Sequence, residues 1–258
     1  MKKLIIGVSL SCLLMACEPE PAKNTDVSSI NSERIIRELY AYRPTHYTWP
    51  VAGETAQVST SLLAENYYLV IDGSGSMDEI GCSGVRRKMD VAKEAVSQFI
   101  DKIPKDANVG LLVFDDRGIG QRVPLGLHHT EVKQEIQQIR ANGGTPLLGA
   151  MRIAYSAMTK QAQEQLGYGG YHMVVVTDGE ANSGQDPSEL VDKLLQESPI
   201  TLHTIGFCIG DGHSLNRPEK IDYRAANNPA ELQAGLQSVL AESVDYAPTQ
   251  FEKAGVAP

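Results

Sequence analysis

The sequence predicts an α/β fold: a doubly wound, mostly parallel sheet with helices on both faces and one antiparallel edge strand. Strand-like runs alternate with helix-period segments over most of the chain, the pattern of a sheet covered by its own crossovers. Runs such as YYLVID (67–72) and HMVVVTD (172–178) are almost continuously apolar, which suits strands buried on both faces. The runs at 109–115 and 123–127 are joined only by DRGIGQR, too short for a crossover helix, so they are expected to pair as an antiparallel hairpin at one edge.

The elements follow in order. Strands are expected at 67–72, 109–115, 123–127, 172–178 and 200–207. Helices are expected at 85–103, 130–140, 146–165, 187–197 and 230–242. The first helix is the best patterned, with Met89, Ala92, Val96, Phe99 and Ile103 on one stripe. Ahead of this domain a short helix from Ser32 carries Ile35, Ile36, Leu39 and Tyr40 and ends near Pro44. Tyr40, Tyr42, Tyr47 and Trp49 then crowd together, and packing against the domain is the favoured reading over an exposed partner patch.

The chain has 258 residues, 42% of them hydrophobic and 21% charged, enough to bury a core without metal or disulfide staples. A formal charge of −9 argues against a nucleic-acid partner and against a polybasic lipid-binding patch. Lys2-Lys3 and the apolar stretch to Ala16 read as a secretory signal peptide, too short to span a bilayer. Leu14-Met15-Ala16-Cys17 resembles the lipobox of bacterial lipoproteins, which makes Cys17 the lipidated N-terminus; the alternative is a plain signal peptide with an incidental cysteine. The division expected is a leader at 1–16, a tether at 17–31, an N-terminal extension at 32–61, the α/β domain at 62–245 and a tail at 246–258. The location expected is the cell envelope. Glu18 stands where an inner-membrane retention signal would place Asp, which leans toward the outer membrane if the envelope has two. Cys82 and Cys208 remain, either as two buried thiols or as a disulfide. Both fall on the same face of the sheet, beyond strand ends, which favours the bond.

Two apolar strands end alike, in Asp72-Gly73 and Asp178-Gly179. Ligands of open α/β sheets sit beyond the carboxyl ends of the strands where the order reverses. If those two strands are neighbours there, two carboxylates meet, and a cation is the natural compensation. Gly73-Ser74-Gly75-Ser76 adds two hydroxyls on a flexible turn, and Gly143-Gly144-Thr145-Pro146 brings another, with Thr145 expected as helix cap and Pro146 at the first helical position. Each piece alone reads as an ordinary turn or cap. The set offers only oxygen, which suits a hard cation. Neither a P-loop, a dinucleotide fingerprint, an EF-hand nor a nucleophile elbow fits these residues.

Together, Asp-x-Ser-x-Ser, Gly-Gly-Thr-Pro-Leu and VVVTDG resemble the von Willebrand factor type A family and its metal-ion-dependent adhesion site. The resemblance implies a Rossmann-like fold and a metal held by Asp72, Ser74, Ser76, Thr145 and Asp178. It implies Mg2+, with Mn2+ or Ca2+ as substitutes, and a protein partner supplying an acidic side chain to the remaining coordination position. No catalytic residue is expected. An envelope scaffold with a mainly structural metal is the alternative, and a metal-dependent hydrolase is disfavoured because no nucleophile is paired with a base. Asp115 and Asp116 are expected in a charged hairpin turn rather than deepening the negative field near the metal, His213 as an exposed loop histidine rather than a ligand or general base, and 206–223 as a rim shaping partner specificity.

Overall fold

The computed structural model of the chain describes residues 49–50, 57–209, 213–217 and 220–241. The leader, Cys17, the tether, the helix from Ser32, the tyrosines at 40, 42 and 47 and the tail lie outside the described residues.

Six strands build one sheet: β1 (Asn66–Asp72), β2 (Asn108–Asp115), β3 (Gly118–Val123), β4 (Tyr171–Thr177), β5 (Thr201–Phe207) and β6 (Asp222–Ala226). Their spatial order is β3-β2-β1-β4-β5-β6, and every pairing is parallel except β2 with β3. Among the described residues five α-helices join them: α1 (Lys88–Lys102), α2 (His129–Gln137), α3 (Leu147–Glu164), α4 (Ser188–Glu197) and α5 (Pro229–Ala241).

All seven residues of β1 are buried, so alternate side chains feed two separate cores. Tyr67, Leu69 and Ile71 face α1, α2 and α5 and join Phe99, Ile136 and Leu236. Tyr68 and Val70 face the other way, into a core with Met151, Met158 and Leu194 from α3 and α4. A strand covered on both faces can afford no polar alternation, which is why 67–71 reads as an unbroken apolar run. Trp49 closes the second core from outside, its ring edge-on to Tyr171 at 5.0 Å and its indole N–H donating to Thr159 Oγ1 at 2.9 Å.

The chain leaves β1 for β2 on one side and later returns to β4 on the other. The order therefore reverses between β1 and β4, which places the loop after Asp72 beside the loop after Thr177.

Two strands differ from expectation. The edge strand is β3, the segment read as a link, and 123–127 mostly leaves the sheet. Asp115 pairs with Gly118 across a two-residue turn, and Gly118 has φ 79°, a backbone that favours glycine. GIGQRV is largely exposed, so the apolar signal of a strand is missing there. β6 was not expected, and only its first two residues fall in the expected rim at 206–223: DYRAA is short and half-exposed at the opposite edge.

Candidate functional site

The site begins at the last residue of β1. Asp72 is fully buried, and its Oδ1 accepts the Ser74 N–H at 2.7 Å while its Oδ2 accepts the Thr177 hydroxyl at 2.5 Å. The chain then turns sharply: Gly73 donates its N–H to Phe114 O at 2.8 Å, so close that a β-carbon on Gly73 would sit 2.8 Å from that oxygen. The turn runs into a short 3-10 segment, Gly75–Asp78. Ser74 and Ser76 thereby stand on one side, their Oγ atoms 3.0 Å apart.

Asp178 enters from β4. Its Oδ1 accepts the Ser76 hydroxyl at 2.7 Å. Its Oδ2 accepts Lys88 Nζ at 2.8 Å, and both side chains are nearly removed from solvent. Thr145 arrives from the third loop and is also buried. A β-carbon on Gly179 would lie 3.7 Å from Ser76 Oγ and 3.8 Å from Thr145 Oγ1, so the two hydroxyls converge over that glycine. Asp72, Ser74, Ser76, Thr145 and Asp178 are therefore gathered in one place, from three loops.

Thr145 does not cap the following helix: α3 begins at Leu147, Pro146 occupies the cap position, and no side chain bonds there. Thr145 is held through its backbone, its N–H donating to Asn182 Oδ1 (3.1 Å) and its carbonyl accepting the Asn182 N–H (3.0 Å). This two-way bond ties the Thr145 loop to the loop after Asp178.

Burial pushes the Asp72 carboxyl up to about 6, with Asp178 adding to the rise and hydrogen bonds from Ser74 and Thr177 opposing it. Such a site favours a compensating positive charge. Among the described residues, no three His, Cys, Asp or Glu side chains group to hold a metal, so a cation here must draw on hydroxyls. Three hydroxyls and two carboxylates are a hard-oxygen set that fits Mg2+ or Mn2+ and disfavours a softer ion.

Around the site two residues differ from expectation. His213 is buried, not exposed. Its Nδ1 accepts the Leu215 N–H at 2.9 Å, which leaves Nε2–H to donate to Gly179 O at 3.0 Å, and its ring stacks on Tyr223. It clamps the segment after β5 onto the Asp178-Gly179 turn. Asp115 is also buried and answers to Arg122 at 2.7 Å, while Asp116 lies exposed in the turn. Cys82 and Cys208 form a disulfide with Cα atoms 5.5 Å apart, joining the turn Gly81–Ser83 to the end of β5.

Lys88, Thr177 and Asn182 were not foreseen as parts of this site. Thr177 lies inside VVVTDG but was not singled out there, and Asn182 carries no distinguishing pattern. Lys88 fell inside the helix expected at 85–103, where a lysine reads as solvated; the structure starts that helix at Lys88 itself.

Fold and site define an α/β domain that gathers an oxygen-rich loop cluster at the reversal point of its sheet. The chain belongs to the von Willebrand factor type A domain family, whose sequence profile matches residues 66–236. It is 31% identical over 203 residues to the uncharacterized protein YwmD of Bacillus subtilis, covering 73% of this chain and 84% of YwmD. It is 27% identical over 164 residues to the inter-alpha-trypsin inhibitor heavy chain H4 of Bos taurus, of which it spans 17%. Among solved structures, the manganese-loaded TRAP protein of Plasmodium vivax superposes with a TM-score of 0.53 at 19% identity, over 69% of this chain and 74% of that one. The vWF domain of the pilus tip protein Mfa5 from Porphyromonas gingivalis gives 0.54 at 13%, over 69% and 94%. Domains of this family commonly bind a divalent metal and mediate protein–protein contacts.

Proposed function

We propose that this chain is an envelope protein, lipid-anchored through Cys17, that binds an acidic side chain of a protein partner through Mg2+ or Mn2+. The observation that supports it best is the meeting of five oxygen-bearing side chains from three loops at the β1/β4 reversal. Ser74, Ser76 and Thr145 would supply hydroxyl ligands, and Asp72 and Asp178 carboxylates. When bound, the ion would supply a Lewis-acidic contact for a carboxylate from outside. The remaining work falls to the chain. Thr177 fixes the Asp72 carboxylate, Asn182 locks the Thr145 loop to the Asp178 loop, and His213 braces Gly179 from the third side. A site braced in this way loses little rotamer entropy when it binds, the condition for a firm contact through few atoms.

Crosslinking in intact cells with Mg2+ present, followed by affinity capture with and without EDTA, tests the reading. A partner recovered only with metal, and lost with Asp72→Ala, supports it. Recovery indifferent to both metal and Asp72→Ala contradicts it.

A further inference from the structure

We infer that Lys88 is a positioning residue of the metal site: a resident cation that holds Asp178 in place and weakens the site's grip on a divalent ion. The inference rests on the metal reading above and adds a component that the Asp-x-Ser-x-Ser, Thr and Asp motifs do not contain.

Lys88 opens α1, and its Nζ lies 2.8 Å from Asp178 Oδ2 with both side chains almost fully buried. Among the described residues its other acidic contact is Glu79, at 3.5 Å and largely exposed. The lysine is held there by construction. Its N–H donates to Glu79 O at 2.8 Å, closing the loop between them. Gly81, at φ 49°, lies against the stem so closely that a β-carbon there would be 2.5 Å from Lys88 Cε and 3.6 Å from Cys208 Sγ. Glycine and disulfide thus cover the aliphatic part and direct the ammonium at Asp178.

The division of Asp178 follows: Oδ2 faces the lysine, and Oδ1 faces Ser76 and the proposed ligand cluster. Lys88 also changes the charge count. Two carboxylates alone would neutralise a divalent ion. With one of them already answered by an ammonium, the loaded site keeps about one unit of positive charge to offer an anionic partner. A site built to be bridged by an acidic side chain gains from that surplus, at the expense of metal affinity.

The test is Mn2+ titration of the natural chain, Lys88→Met and Lys88→Gln, read by the free-ion EPR signal. Met keeps the stem without charge; Gln keeps a hydrogen-bond donor and gives a second route if Met folds poorly. Both are expected to bind Mn2+ roughly tenfold tighter or more, because a charge repelling the ion at short range has been removed. A merely structural lysine would give the opposite sign, since a loosened Asp178 weakens binding. Unchanged or weaker affinity in the variants, with the natural chain binding, overturns the inference and leaves the metal reading standing. Failure of all three chains to bind Mn2+ overturns the metal reading and the inference with it.

Discussion

Asp72 sits at the end of a buried strand with two hydrogen bonds to its carboxylate, and burial still wins, pushing its pKa from 3.8 up to about 6. The folded chain then holds this proton more tightly than the unfolded chain, so Asp72 stabilises the metal-free fold at low pH. That contribution fades as pH rises from about 4 through 6. A cation must displace the same proton. Mn2+ affinity is therefore expected to rise between pH 5 and pH 7, with proton release that calorimetry in buffers of different ionisation heat would detect. A flat profile over that window would count against Asp72 as a ligand. Gly73 gives a second, steric prediction: Gly73→Ala drives a methyl into Phe114 O and Asp115 Cβ, both at 2.8 Å, and should cost about 1–3 kcal/mol in urea unfolding. At this scale the five oxygen side chains were legible because they lie in short runs beside strand ends. Lys88 was not, because a lysine on a helix normally reads as solvated, and only the fold carries it to Asp178.

The elements matter here as holders of loops. Cys82 lies in a 3-10 turn after the Ser74–Ser76 loop and Cys208 follows the end of β5, so their bond ties the segment over Lys88 to the sheet. Cys208 has φ 65°, a backbone unusual for a non-glycine residue, kept in place by that bond and by its N–H donating to Ala226 O. The Cys82→Ser/Cys208→Ser double variant should lose about 2–5 kcal/mol of stability, measurable by urea denaturation; an unchanged midpoint would contradict a structural role for the bond. Buried elements were the readable ones. β1 and β4 are apolar at nearly every position, β5 buries six of its seven residues, and α1 shows its core stripe plainly. The edge strands β3 and β6 bury little, so nothing in GIGQRV or DYRAA had to be apolar. Their pairing is decided by the Gly118 turn and by the free edges of β2 and β5.

Among the described residues, one sheet separates two cores and carries the site loops beyond the carboxyl ends of its strands. The cores set the stability. Leu69, fully buried on β1 in the core with α1, is expected to cost about 2–5 kcal/mol when truncated to Ala, with Mn2+ affinity barely changed provided the chain stays folded. The proposed site would set the response to metal. A divalent ion at about a hundred times its dissociation constant should add about 2.7 kcal/mol to the unfolding free energy, and EDTA should remove it. The reversal of strand order between β1 and β4 was foreseeable only as a condition, because sequence shows that two strands end in Asp-Gly but not that they are neighbours. The parallel pairing of Ile71 with Val176 meets that condition.

The most direct measurement is calorimetric titration of the folded chain with Mg2+ or Mn2+, beside Asp72→Asn and Asp178→Asn, which keep side-chain shape and remove charge. One ion is expected to bind per natural chain, with no measurable binding to either variant. Equal binding by all three, or none by the natural chain at millimolar ion, would contradict this expectation.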